Sequence, residues 1–539
     1  MASLLIRDAL VIDGTGRPPF RADVGTDAGV ITSVGRDLAR PPGSDVLRAD
    51  GAALAPGFID LHTHGDFTVP VTPGMPALIS QGVTTQLAGN CGFSPFPVAA
   101  GRADLLRDYA AFLDGGLPWG SWQTAREYFA IVDALPLAGN LACQVGHGSV
   151  RIAVMGFDPG PPDAGQLTAM SELVRASVHA GAAAISAGLT YAPASAAGTS
   201  ELVAVARAAR SAGARFYSTH IRSEAVMVSR AVDEAITVGA QSGLPVQLSH
   251  LKIMGTGNWP QLDDVLARID AAAPAADVAM DQYPYTAGST TLAIIVPRWA
   301  TEGGTAALRR RLADPLTRDR IRQQILAQDP ADLARGLRAF EPENIVVAGV
   351  PGPEGRGYAG LSLTQVAERD GTDPAAAALE LIRRWGGDVT TIVHGQSERN
   401  LRRIMAHPRT AIASDGWSFD PAAGGLPHPR NYGTFPRVLG RYARDAGVLT
   451  LAEAVRKMTS LPARRLSLHR RGTIRPGYIA DLVLFSPGSV ADTATFAHPQ
   501  QFCRGIDAVI VAGQVALRDG QDTGVRAGRL LRLSDGRVT

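Results

Sequence analysis

The chain has 539 residues, 45% hydrophobic and 19% charged, which suits a large core plus a second domain and excludes a disordered protein. Lys and Arg number 52 against 50 Asp and Glu, so there is no basic footprint for nucleic acid, and no apolar run reaches the ~18 residues of a membrane span. Three cysteines (Cys91, Cys143 and Cys503) are too few for a disulfide framework, and Met1–Asp8 lacks the apolar core of a signal peptide, so a cytoplasmic protein is expected.

In chain order, Leu4–Asp13, Val24–Val34 and Val46–Arg48 read as short strands between turns. Gly57–His64 is an apolar run ending in two histidines two residues apart, and on a strand such residues point the same way. Strand candidates then end at His62, Cys91, His147, Tyr191, His220, His250, Tyr283 and Asp415. Four of the six gaps among the first seven are about 30 residues, as in βα units. Helical stretches lie between them at Ser171–Ala180, Ser200–Ala212, Glu224–Ser242 and Gln261–Ala272, and Gly181, Gly213 and Gly243 close three of these. Eight such strands predict a (β/α)8 TIM-like barrel over residues 56–471. The long gap between Tyr283 and Asp415 holds an insertion at about 290–345, with extra elements near Val346–Gly349 and Thr390–His394. From Gly472 the pattern returns to short strands, Ala480–Phe485 and Ala508–Leu517. Residues 1–55 and 472–539 therefore predict one small β-sandwich domain built from both chain ends.

Active sites of such barrels lie at the C-terminal ends of the strands. The residues ending these strands are His, Cys, Tyr and Asp rather than the usual turn formers. His220 and His250 each follow a buried β-type run, and each alone reads equally well as a packed histidine. Cys91 reads either as a small buried hydrophobe or as a thiolate ligand at a strand mouth. Together, Cys91, His220 and His250 make a three-ligand zinc site with an open position for water. Asp415, in Ser414-Asp415-Gly416, is an ordinary turn residue or, beside a metal, a general base. Cys143 and Cys503 read as structural.

These residues resemble the amidohydrolase superfamily. The resemblance lies in Pro56–His64, the later histidine-bearing strands, Ser414-Asp415-Gly416 and the closing segment Gly472–Val483. More narrowly the chain is similar to the N-acyl-D-amino-acid deacylases (D-aminoacylases). The motifs are Gly89–Gly92, Gly146–Gly148, Gly188–Tyr191, Ser218–Glu224, Ser249–Lys252, Asp281–Tyr285 and His428–Thr434, spread over nearly the whole chain. The resemblance implies that Cys91, His220 and His250 hold a tight Zn2+. His62 and His64 form a second, optional position that Cys91 bridges. It implies Asp415 as base and then acid, and Lys252, Tyr283, Ser289 and Arg430 as groups that orient the substrate, with the cations near its carboxylate. Tyr191 lines the same mouth, and His147 matches a family motif and joins the substrate-binding candidates without a defined role. Many relatives carry a carboxylated Lys at the end of the fourth strand. Gly188–Tyr191 has none, which disfavours hydantoinase- and dihydroorotase-type readings.

The expected activity is zinc-dependent hydrolysis of an N-acyl-D-amino acid, a small-molecule substrate, to a carboxylate and a free D-amino acid. Another amide hydrolase, or a non-catalytic scaffold of the same fold, is the alternative. The stretch between Tyr283 and Asp415 makes the chain longer than the family leads one to expect. Within it Ile294–Pro297 reads as an apolar pocket wall, and Arg298 as a reader of an acidic side chain; core or surface placement is the competing reading.

Overall fold

The computed structural model of the protein describes residues 3–273, 275–334, 339–417 and 426–539. The N-terminal end contributes β1 (Leu4–Val11), β2 (Phe20–Asp27), β3 (Val30–Gly35), β4 (Asp45–Arg48) and β5 (Ala53–Pro56). Two residues after β5 begins the barrel: β6 (Phe58–Asp60), β7 (Val83–Ala88), β8 (Asn140–Gly146), β9 (Ala184–Gly188), β10 (Tyr217–His220), β11 (Val246–Leu248) and β12 (Val278–Gln282).

The insertion supplies β13 (Ala287–Thr291), β14 (Ile345–Gly349) and β15 (Thr390–His394), after which β16 (Thr410–Ile412) is the eighth barrel strand. β6 to β12 and β16 lie side by side in chain order, all parallel. The first and last strands meet just past their ends: Thr63 and Gly416 form a parallel bridge, and Asp415 N donates to His62 O at 2.8 Å. Buried Asp60 accepts from Ser414 N at 3.0 Å and from His62 N at 3.1 Å, so one carboxylate ties both sides of the seam. The fold class read from the sequence is the one observed.

After the barrel come β17 (Leu482–Phe485), β18 (Ile506–Val511), β19 (Gln514–Arg518) and β20 (Gln521–Asp522), which join β5 and β1–β4 in a nine-stranded sheet. The join is β5 against β17, antiparallel, with Leu484 opposite Leu54. Period-two alternation sorts the residues of these strands. Leu54, Leu482, Leu484, Ala508 and Ile510 enter the core of the β domain, while Ala53, Ala55, Val483, Phe485, Val509 and Val511 face the barrel's core. A substitution in β17 therefore strikes one core or the other according to parity.

Two boundaries differ from the sequence reading. The insertion runs from β13 to β15, well past residue 345. β13, β15 and β14 form an antiparallel sheet covered by helices with their own core, including Leu292, Leu308, Leu312, Ile321, Leu363, Leu379 and Ile382. Each such buried side chain contributes about 1.5–3 kcal/mol, enough to order the insertion as a layer of its own. The amphipathic pattern of Leu363–Asp370 and Pro374–Trp385 looks like that of barrel helices, and only packing distinguishes them. At the C-terminal end, β21 (Leu530–Leu531) leaves the β domain and pairs in parallel with β8. Leu531 and Val538 pack with Ile59, Ala142, Ala184, Phe216 and Leu466.

Candidate active site

Short tight turns deliver the functional side chains from the strand ends. His62 and His64 follow β6, Cys91 follows β7, His220 ends β10, His250 follows β11 and Asp415 follows β16. Cys91 (φ 54°), His250 (φ 37°) and Asp415 (φ 50°) all adopt left-handed backbone, a conformation costing about 1–3 kcal/mol for a residue with a side chain. Gly89 (φ 83°) permits the turn before Cys91, because a Cβ there would strike the Gln144 carbonyl. Strain collected at three converging residues marks a site that the surrounding fold holds in place.

The geometry is close. Cys91 Sγ lies 3.3 Å from both His62 Nε2 and His250 Nε2. Asp415 Oδ1 lies 3.4 Å from His62 Nε2 and 3.3 Å from His64 Nε2, and its Oδ2 is 2.7 Å from Arg430 Nη1. One ligand atom from each of His62, Cys91, His250 and Asp415 falls within 4.8 Å of all the others, and a second such group, His220, Glu224 and His250, shares His250. The three residues expected to hold the tight metal are thus divided between the two groups. Both ring nitrogens of His220, and Nδ1 of His64, are buried without a hydrogen-bond partner. A soft thiol, converging imidazoles and orphaned ring nitrogens are the donor set that suits zinc.

Electrostatics follow from burial against charge. Burial alone pushes the Cys91 thiol up, yet His62 and His250 outweigh it and hold the thiol well below its usual range. Burial likewise opposes ionisation of Asp415, but Arg430, His250 and His62 keep its carboxyl well below the usual carboxylate range. Burial lowers His220, which favours the neutral, ligating imidazole. Perturbed groups converging in one cleft are a functional-site signature.

A small chamber of about 40 Å³ sits above these groups, lined among others by Tyr191, Tyr283, Ser289, Lys252 and Arg430. Tyr283 lies between two cations, with Lys252 Nζ 5.6 Å and the Arg430 guanidinium 5.0 Å from its ring. Tyr191 Oη is 3.2 Å from Thr290 Oγ1. Lys252 Nζ donates to Glu224 Oε1 and to His250 O at 3.1 Å, and it lies 2.9 Å from His250 Nδ1. His147 is not brought to the chamber. His147, wholly buried, opens the helix His147–Met155, and its Nε2 is 2.8 Å from Oε1 of Glu201, whose Oε2 pairs with Arg151.

A larger chamber of about 520 Å³ adjoins the first, the two sharing Phe112 and Tyr191. Ile294, Val296 and Arg298 line it, while Ile295 turns into the core of the insertion. Arg222, also on its wall, is neutralised by Glu234 at 2.9 Å; Arg298 has no ion pair among the described residues.

Two residues that sequence reasoning placed in motifs without a role, Asp281 and Glu224, support the site. Asp281 Oδ1 holds His62 Nδ1 at 3.0 Å and accepts from His250 N at 2.7 Å, while Gln247 Nε2 donates to its Oδ2 at 2.9 Å. Glu224 lies in a loop because the helix predicted from that residue starts at Val228. A charge at the end of a buried run is the available signal, since buried carboxylates need partners; the partner's identity exists only in three dimensions.

The amidohydrolase family pattern matches residues 45–517 of the chain. A D-aminoacylase of Alcaligenes xylosoxydans xylosoxydans is 36% identical over 98% of this chain and 97% of its own length. An N-acyl-D-glutamate deacylase of the same organism is 35% identical, over 98% of this chain and 96% of its own. The solved structure of an N-acyl-D-glutamate deacylase from Bordetella bronchiseptica, complexed with zinc and a phosphonate mimic of the tetrahedral intermediate, matches with a TM-score of 0.82 at 34% identity, over 98% of this chain and 99% of that one. Relatives of matching length overturn the expectation of a chain longer than its family.

Proposed function

The chain belongs to the amidohydrolase family, in its D-aminoacylase branch, and on that footing we propose that it hydrolyses the amide bond of N-acyl-D-amino acids with zinc, releasing a carboxylate and a free D-amino acid. The observation that carries this is the convergence of Cys91, His62, His250 and Asp415 within 4.8 Å at the strand ends, with Arg430 on the outer oxygen of Asp415. Cys91, His220 and His250 are assigned to the tight metal position, and His62 and His64 to a second one reached through Cys91. When bound, zinc supplies Lewis-acid polarisation of the amide carbonyl and makes water acidic enough to attack near neutral pH.

Asp415 takes a proton from the attacking water and passes it to the departing nitrogen. Its low pKa keeps it ionised and ready to accept. Arg430 faces two ways: Nη1 forms an ion pair with Asp415 at 2.7 Å without hydrogen-bond alignment, and Nε is buried with no hydrogen-bond partner. That free donor suits the substrate's α-carboxylate, because a guanidinium fork matches carboxylate geometry. Tyr283 and Ser289 orient the same end, and Tyr191 forms the wall between the two chambers. Lys252, held by Glu224 Oε1 and His250 O, stands beside them. We assign the larger chamber to the amino-acid side chain. Arg298 favours an acidic one there, which agrees with the glutamate specificity named for two relatives. Three unpaired cysteines support a cytoplasmic location; no described helix is long and apolar enough to cross a membrane.

The test is steady-state hydrolysis of N-acetyl-D-glutamate, N-acetyl-D-methionine and their L-enantiomers by the zinc-loaded protein. The expected result is turnover of the D-compounds alone, fastest for glutamate. Equal turnover of L-compounds would refute the assignment, and faster methionine turnover would refute the role of Arg298.

A further inference from the structure

Glu224 takes no part in the chemistry above, yet it stands where three of its groups meet. Oε1 lies 3.3 Å from His250 Nδ1 and 3.7 Å from His220 Nε2, and it accepts a hydrogen bond from Lys252 Nζ. The residue is 5% exposed. Its loop is pinned from outside: Met254 N donates to Glu224 O at 2.7 Å, locking the turn after β10 to the turn after β11.

Hydrogen-bond chemistry gives this placement a purpose. A neutral imidazole that offers Nε2 to a metal carries its proton on Nδ1, and that N–H needs an acceptor to fix the ring. His250 points Nε2 at Cys91 Sγ, 3.3 Å away, so Nδ1 is its outward nitrogen. Lys252 Nζ and Glu224 Oε1 both lie beside that nitrogen. A charged amine has donors only, so of these two Glu224 is the acceptor. Asp281 does the same for His62 on the opposite side of the site, at 3.0 Å. Pairing a ligating histidine with a carboxylate fixes the tautomer and raises the basicity of the ligating nitrogen.

We propose that Glu224 is a positioning residue of the metal site: it accepts the Nδ1 proton of His250, and the same oxygen holds Lys252 at the chamber wall. The proposal rests on the zinc reading above. A merely structural account makes Glu224 a counter-ion for buried Lys252, and the two accounts separate in a double variant.

The experiment is chelator competition for zinc by the full-length protein and by Glu224→Gln, Lys252→Met and Glu224→Gln/Lys252→Met, with circular dichroism to verify folding. Glu224→Gln is expected to bind zinc about 10- to 100-fold more weakly, the usual effect of removing such a partner. Lys252→Met keeps the acceptor and stays at the wild-type affinity. The double variant leaves no buried cation unpaired, so it folds even where Glu224→Gln does not, and it remains as weak as Glu224→Gln. Wild-type affinity in the double variant would reduce Glu224 to a counter-ion and overturn the proposal. A wild-type protein that binds no zinc would instead remove the proposed function, and this proposal with it.

Discussion

The reaction chamber and the larger cavity beside it share Phe112 and Tyr191 but are built of different material. The first is made mainly of barrel strand ends, with Ser289 and Val393 of the insertion at its rim. Its polar groups are buried and held by charged partners, as Asp281 holds His62 and Arg430 holds Asp415. The second is walled by helices and by the insertion, through Ile294, Val296, Arg298 and Leu308, and mixes apolar surface with charge that reaches solvent. One is a rigid place for bond breaking; the other is a roomier wall that can change without disturbing it. Substitutions in the first chamber should therefore act on kcat and metal, and those in the second on the choice of substrate.

The sharpest way to break that comparison is Asp415→Asn. It should lower kcat by about 10²- to 10⁴-fold, the contribution of a general acid–base group, and leave zinc content and substrate preference alone. Unchanged turnover would end the proton-transfer role. Arg430→Met comes next, with kcat/KM down about 10- to 150-fold for loss of a hydrogen bond to a charged group. It also has a pH signature. Burial pushes Asp415 up and Arg430 holds it down, so removing the guanidinium raises the pKa of the base. Because the base works only when ionised, the acid limb of the kcat/KM profile should move to higher pH; a limb that stays put would separate Arg430 from Asp415.

In the second chamber, Arg298→Leu should cut the preference for N-acetyl-D-glutamate over N-acetyl-D-methionine by about fivefold, the reach of a solvent-screened pair near 1 kcal/mol. kcat for methionine should not change; a fall in that value would mean that the chambers are not independent. The smallest effect is that of salt. Raising ionic strength to about 1 M, where the screening length falls to ~3 Å, should trim the glutamate preference by less than Arg298→Leu does and leave methionine turnover unchanged.

The same contrast governs what was legible in the sequence. His62, Cys91, His220, His250 and Asp415 each stand as a polar residue after a run that wants burial, so local pattern alone places them at the barrel mouth. His147 carries the same local signal, yet its chain turns at once into a helix and the ring meets Glu201 away from the chamber. Glu224 and Asp281 sit within motifs of the family resemblance, but their roles stay unread because those come from histidines on other strands. The true extent of the insertion is decided by packing among its own helices and sheet, and the return of Leu530–Leu531 to β8 by pairing between segments hundreds of residues apart. The β domain from both chain ends was readable because alternation survives in β5, β17 and β18.

The central claim is that Cys91, together with histidines from separate strands, holds the metal that does the work. Elemental analysis of zinc per chain in the wild type and in Cys91→Ala, both verified as folded, tests it most directly. The account predicts tightly held zinc in the wild type and its loss, with activity, in Cys91→Ala; a variant that keeps the wild-type zinc content and turnover would contradict it.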